Sequence, residues 1–280
     1  AEKYDYDEGK SHQWDALAQP SGFGFNWSSN YTVYLETLEQ FDFTDGTSGM
    51  LDRSIYDDAT EIDPNWFFEM RDPRMKASIF YPGSSFKGGT VHFHRSMSGS
   101  LSGWPRTGPS KHIGSMATGL LIRKRTNPET PDATRSSTDY IIFRLGEIIL
   151  NYVEAAFYLN DPNGDMLANL NNLRDRAGMP SLSIGQVSQD KIRQERRCEL
   201  AFEEHTFWDL RRWRIAVEEL DNKQRHRLHY RYNANTKKYT IEMAPGDLGG
   251  VRLHPPRNYY YALGLSRLAD NPKLIENPGY

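Results

Sequence analysis

The chain has 280 residues with 34 basic and 37 acidic side chains, and its formal charge of −3 argues against a polyanion as the main ligand. It holds no run of about 18 apolar residues and so encodes no transmembrane helix. Its single cysteine, Cys198, excludes an internal disulfide and lies within a predicted helix, where it reads as a buried small residue rather than a reactive thiol.

Residues 1–30 are polar and aromatic, interrupted by Pro20, Gly22 and Gly24, and read as extended chain and loop. Tyr34, Leu35, Leu38 and Phe41 predict a short helix that stops near Gly46. The segment MKASIFYPG from Met75 reads as a strand closed by a Pro-Gly turn, and the glycine- and serine-rich stretch 83–115 as long loops. In RLGEIILNYVEAAFYL the residues Leu145, Ile148, Ile149, Tyr152, Ala155, Ala156 and Leu159 recur at i, i+3, i+4 and i+7, which paints one apolar stripe on a helix.

A turn is expected over Asn160 to Gly164, and a second helix carries Met166, Leu170, Leu173 and Ala177 on one face before Gly178 and Pro180 stop it. A third helix is predicted from Asp190 to Glu204 and a short fourth one through Trp213. A helical hairpin of this kind is the unit of tetratricopeptide-type solenoids, and one unit alone cannot cover its apolar faces. The rest of the chain and a further part of the protein are expected to share that task. Finally, Leu228, Tyr230 and Tyr232 alternate before Asn233–Thr236, and Tyr239, Ile241 and Met243 alternate after it, the pattern of a β-hairpin.

Six words occur in order along the chain: FEMRDPRMKASIFYPG from Phe68, TGLLIRKR from Thr118, RLGEIILNYVEAA, LNNLRDRAGMP, ERRCELAFEEHTFWDLRRW and the terminal NPKLIENPGY. Together they resemble the SusD (RagB/SusD) family of outer-membrane nutrient-binding lipoproteins. Gly146 stands where alanine is usual, Glu204 where glycine is usual, and Thr206 where arginine is common. The resemblance implies a mainly α protein, a SusD-like α-α superhelix with long loops and a little β structure. It implies that residues 1–280 are a C-terminal region with a loop region over about 1–135, a helical core over about 140–215, and a hairpin and tail over 216–280, the N-terminal half being absent from the chain. It further implies a non-enzymatic protein at the cell surface, lipid-anchored through a segment outside this chain. Such a protein would capture an oligosaccharide, or a peptide, and deliver it to a SusC-like TonB-dependent transporter.

The residues suggest where a ligand would sit. A sugar offers a face of C–H groups to an aromatic ring and hydroxyls to amides and charged groups at its edge. Of the six tryptophans, Trp14, Trp27, Trp66 and Trp104 lie outside the strongly helical segment. Trp27 with Asn30 and Tyr31, and Trp104 with Arg106, combine both chemistries and are the expected ligand contacts. Trp208 and Trp213 are expected in a helix seam, one or both as core. Arg193, Arg196 and Arg197 with Glu195, Glu199 and Glu203 have the spacing of ion pairs along one helix.

Other chemistries find less support. Asp42 with Asp45, Asp57 with Asp58, or Glu203 with Glu204 could be named as a glycosidase pair, but among so many acidic residues such a choice is nearly free. The words G-x-S-x-G and G-x-x-x-x-G-K-S/T are absent. His92 and His94 would share a face of a strand, with His112 as the nearest third histidine, a weak basis for a metal site. No catalytic residue, metal or cofactor is expected, with a peptide-binding or scaffolding helical protein as the alternative and a glycoside hydrolase as a more distant one.

Overall fold

A computed structural model describes residues 9–20, 23, 31–96, 118–130, 132–160, 165–246 and 250–280. The N-terminal part carries three short helices, α1 (Trp14–Ala18), α2 (Leu35–Leu38) and α3 (Pro73–Ser78). Helix α1 falls where the sequence suggests loop, because distant partners hold it. The Asp15 carboxylate accepts from the Asn127 N–H at 2.7 Å, and the Asp15 N–H donates to Ser136 Oγ at 2.8 Å. Helix α2 ends at Leu38, short of Phe41. Helix α3 overturns the strand expected from Met75. Pro73 opens it, and the Asp72 carboxylate caps it by accepting the Arg74 N–H at 2.9 Å. Only β2 (Ile79–Phe80) remains extended there, paired antiparallel with β6 (Leu121–Ile122).

Strands β7 (His226–Asn233) and β8 (Lys238–Pro245) form the expected hairpin, with Tyr230 opposite Ile241 and Tyr232 opposite Tyr239. Their sheet has the order β1 (Glu61–Ile62), β8, β7 and β5 (His94–Ser96), with β5 parallel to β7. Within the stretch read as loop, β3 (Ser85–Phe86) and β4 (Gly89–Thr90) form a small hairpin. The main core fills the space beside the sheet with Leu35, Leu38, Phe67, Phe68, Met75, Phe80, Leu121, Tyr230 and Ile241. Gly119 lies against the sheet with φ +73°, and a Cβ there would fall 2.2 Å from the Leu228 carbonyl oxygen. No other residue fits that position.

The helical part comprises α4 (Leu145–Leu159), α5 (Asp165–Arg176), α6 (Gln189–Glu199), α7 (His205–Arg212) and α8 (Ala216–Leu220), with α9 (Leu265–Asp270) in the tail. Helix α6 ends at Glu199, five residues before the expected boundary. Phe202 at φ +61° and Glu204 at φ +68° take the left-handed conformation and cannot continue a right-handed helix. Helices α4, α5 and α6 enclose Val153, Ala156, Met166, Leu170 and Ile192. Trp213 packs with Leu210 and Ala216 and donates its indole N–H to Glu154 Oε1 at 2.8 Å, whereas Trp208 is 59% exposed.

Most of the stripe of α4 lies away from its packing, with Ala156 and Ile149 as the members that turn inward. Gly146, Leu150, Val153 and Ala156 face inward, while Leu145 and Leu159 are 72% and 79% exposed and Ile148 and Tyr152 are also exposed. The helix is apolar on both sides, so periodicity identifies it without saying which side is covered. Gly146 admits an ion pair, since a Cβ there would come 2.5 Å from Arg144 Nη1 and 2.9 Å from Glu199 Oε1.

The carboxylates of the α6 segment do not pair along their own helix. Glu195 receives Arg74 at 2.6 Å and Arg174 at 2.7 Å, and Glu199 receives Arg74 at 3.1 Å, Arg144 at 2.7 Å and Arg176 at 2.7 Å. Glu203 receives Lys124 at 2.5 Å and Arg144 at 2.8 Å. Arg196 and Arg197 also reach outward, to Asp209 and Glu219, and the pair within the helix is Arg193 with Asp190 at 3.7 Å. Burial alone would raise the Glu199 and Glu203 carboxyls. The bonds from Arg144, joined by Lys124 at Glu203, outweigh it and hold both below the usual carboxylate range.

Breaking a buried pair leaves an uncompensated charge, so Glu195→Ala is expected to cost about 3–5 kcal/mol in urea-monitored unfolding. The contribution of Glu199 and Glu203 is present above the unfolded glutamate pKa of about 4.3 and lost as pH falls through their depressed folded values. Glu39, which burial pushes up, acts in the opposite sense and offsets part of the loss. These glutamates should therefore leave the urea midpoint unchanged near neutrality and make it fall below about pH 4.

Candidate ligand-binding site

A cleft of about 270 Å³ opens where α1, the chain at Tyr31, the segment after β6 and the residues before α4 meet. His12, Trp14, Tyr31, Arg125, Tyr140 and Glu204 are among its walls. The volume lies just under the about 300 Å³ at which pockets for drug-sized ligands begin, which suits one ring-sized group of a longer molecule.

Each wall is fixed by its backbone neighbours. The His12 and Ser136 main chains exchange hydrogen bonds of 3.0 and 2.8 Å, which joins the start of the described chain to the segment before α4. The Trp14 N–H donates to His12 Nδ1 at 3.1 Å, so the imidazole hydrogen is assigned to Nε2, which donates to the Thr138 carbonyl at 2.9 Å. The Trp14 indole N–H donates to the Lys124 carbonyl at 3.2 Å, and its ring stacks on Tyr31 at 4.9 Å and 29°. The Arg125 guanidinium lies 3.9 Å from the Trp14 ring centroid and 5.1 Å from that of Tyr140. The Tyr140 hydroxyl donates to Glu204 Oε2 at 2.8 Å.

Two of these residues hold costly backbone conformations. Arg125 has φ +66° and Glu204 φ +68°, a region that costs roughly 1–2 kcal/mol for a residue with a Cβ. The Glu204 side chain lines the cleft. Strain at a site of convergent polar and aromatic groups points to function.

Of the ligand contacts expected from sequence, Tyr31 lies in this cleft, and Trp27, Asn30, Trp104 and Arg106 lie outside the described residues. Trp66 is elsewhere, stacked on Phe43 at 5.4 Å. Sequence alone does not single out Arg125 or Tyr140, and it leaves Trp14 as one loop tryptophan among four. The signal available is the TGLLIRKR word, which carries Arg125, but nothing in the sequence brings residues 14, 125 and 140 together.

The carboxylates weighed as hydrolytic pairs have other work. Asp42 binds Lys191 at 2.5 Å and receives the Gln194 amide at 2.9 Å. Asp45 and Asp57 accept from their own turns, and those bonds, from Thr47 and Thr60, lower both pKa values. Glu203 is held ionised between Lys124 and Arg144, a poor state for a general acid. Among the described residues no group of three or more His, Cys, Asp or Glu side chains is arranged to hold a metal ion.

The SusD family model matches residues 3–280, and the chain belongs to that family. It is 32% identical over 93 residues to the SusD-like protein P2 of Formosa agariphila, a match that covers 30% of this chain and 18% of the relative. A SusD-like protein from Bacteroides fragilis superposes with a TM-score of 0.70 at 26% identity, over 95% of this chain and 50% of that one. A SusD-like carbohydrate-binding protein from the same species does so with a TM-score of 0.70 at 22% identity, over 98% of this chain and 53% of that one. The chain thus spans about half the length of these solved structures.

Glu204→Gly should remove the backbone strain and the Tyr140 bond together. Relief of the strain outweighs loss of the exposed bond, so chemical denaturation should show a gain of about 0.5–1 kcal/mol.

Proposed function

We propose that this protein is a non-enzymatic binding protein that captures an oligosaccharide at the outer-membrane surface and delivers it to a SusC-like TonB-dependent transporter. The observation that carries the reading is the cleft itself, in a chain that belongs to the SusD family. Trp14 is already in ring contact with Arg125 and Tyr31, so it serves as a wall, which leaves Tyr31 and Tyr140 as the rings to offer a ligand. Hydroxyls of the bound sugar would meet Arg125 and the Glu204 carboxylate. Trp27, Asn30, Trp104 and Arg106 remain proposed contacts for the units of the chain beyond the first. The carbohydrate-binding relative from Bacteroides fragilis supports the ligand class.

Delivery and anchoring are the family's part of the proposal. No helix among the described residues is long and apolar enough to cross a membrane, and attachment through a lipid outside this chain is consistent with that. The exposed row Ile142, Phe143, Leu145, Ile148 and Leu159 is an apolar surface that the remaining half of a family-length protein would cover.

Calorimetry with a panel of oligosaccharides and short peptides, with product analysis of the same mixtures, tests this reading. Tyr31→Ala is expected to weaken saccharide binding by about three- to tenfold, the worth of one aromatic contact. Trp27→Ala or Trp104→Ala should weaken longer oligosaccharides more than short ones. Binding of peptides alone would favour the alternative ligand, and sustained turnover by pure protein would sink the binding-only reading.

A further inference from the structure

Among the described residues Arg125 is a cation without an anion. Arg74, Arg144, Arg174, Arg196 and Arg212 each hold at least one carboxylate. Arg125 makes ring contacts with Trp14 and Tyr140, and its Nε is buried with no acceptor among the described residues. Two carboxylates line the same cleft, Asp139 and Glu204, and among the described residues no ion pair joins Arg125 to a carboxylate. Glu204 is instead committed to the Tyr140 hydroxyl. The guanidinium is thus held close to two rings, in a strained backbone conformation, at the wall of an open cleft.

We propose that the cleft selects an acidic sugar, an oxyanion carried on a pyranose ring as a carboxylate or a sulfate ester, with Arg125 as its partner. This rests on the saccharide reading of the same cleft. A guanidinium presents parallel N–H donors that match two oxygens of a carboxylate or sulfate, and such charge-assisted bonds are roughly twice as strong as neutral ones. Asp139 and Glu204 oppose an anion, but both are exposed and screened by water and salt. Arg125 is half-buried between aromatic rings, where its charge is screened less and acts at shorter range. The sum at contact distance favours the anion. The net charge of −3 for the whole chain limits long-range attraction, so the preference resides in this one contact.

The test is calorimetry on the intact protein with uronate oligosaccharides of several linkages, each paired with its carboxyl-reduced form and with an O-sulfated neutral counterpart. At least one acidic member is expected to bind about tenfold more tightly than its reduced partner, with the difference shrinking as salt is raised. In Arg125→Gln, shown to be folded by circular dichroism, the two forms should bind within about twofold of one another. Whether uronate or sulfate carries the preference identifies the source of the anion. Equal affinity for acidic and reduced forms in the wild type would overturn the proposal and leave saccharide capture standing. A preference that survives undiminished in Arg125→Gln would also overturn it, and failure of every saccharide to bind would overturn both readings.

Discussion

Three carboxylates spaced four apart, Glu195, Glu199 and Glu203, gather cations from four separate stretches of chain at residues 74, 124, 144 and 174–176. Glu195 and Glu199 are almost wholly buried, and each ion so placed is tolerable only while its partners are present. The segments therefore constrain one another: displacing any of them removes a cation from at least one of these carboxylates. Packing of Leu150, Leu173 and Leu200 around the same helices supplies the apolar part of the stabilisation. Another buried cation, Arg71, is held without a carboxylate hydrogen bond. Arg71 donates to the carbonyls of Phe67, Phe41 and Gly49 at 2.8, 3.0 and 2.9 Å, and burial brings its pKa down to about 10.

The ion network also builds the cleft. Arg125 follows Lys124, which is held by Glu203 and by the Glu199 carbonyl at 3.1 Å. Glu204 follows Glu203, and Tyr140 lies one turn's length of chain before Arg144. Three residues of the cleft are thus set by neighbours held in the ion network. The left-handed backbone at 125 and 204 is sustained by this surrounding order, which a loop anchored at its ends alone would not provide.

Where the chain's pattern is local, the sequence is informative. The α4 and α5 boundaries follow from apolar spacing and from Gly178 and Pro180, and the β7–β8 hairpin follows from strict alternation. Trp213 in a helix seam and the burial of Cys198 are legible for the same reason. The strand expected from Met75 fails although its correction is also local: Asp72 and Pro73 are a helix start, and the apolar residues after them mask it. Helix α1 is illegible because its stability comes from Asn127 and Ser136, more than a hundred residues away. The spacing of arginine and glutamate on α6 reads as pairing along one helix. That spacing places carboxylates on one face but cannot say that the face is buried against arginines from elsewhere.

Sequence by itself determined the family, through six ordered words, and most of the secondary structure of the helical part and of the hairpin, because these depend on residues within a few turns of one another. Tertiary structure alone decided which side of α4 is covered, where each charge of the family words finds its partner, and that Trp14, Tyr31, Arg125, Tyr140 and Glu204 share one cleft. The reason is physical. Periodicity and capping are short-range properties of the chain, whereas burial of a charge or convergence of rings depends on contacts between segments that no local spacing encodes.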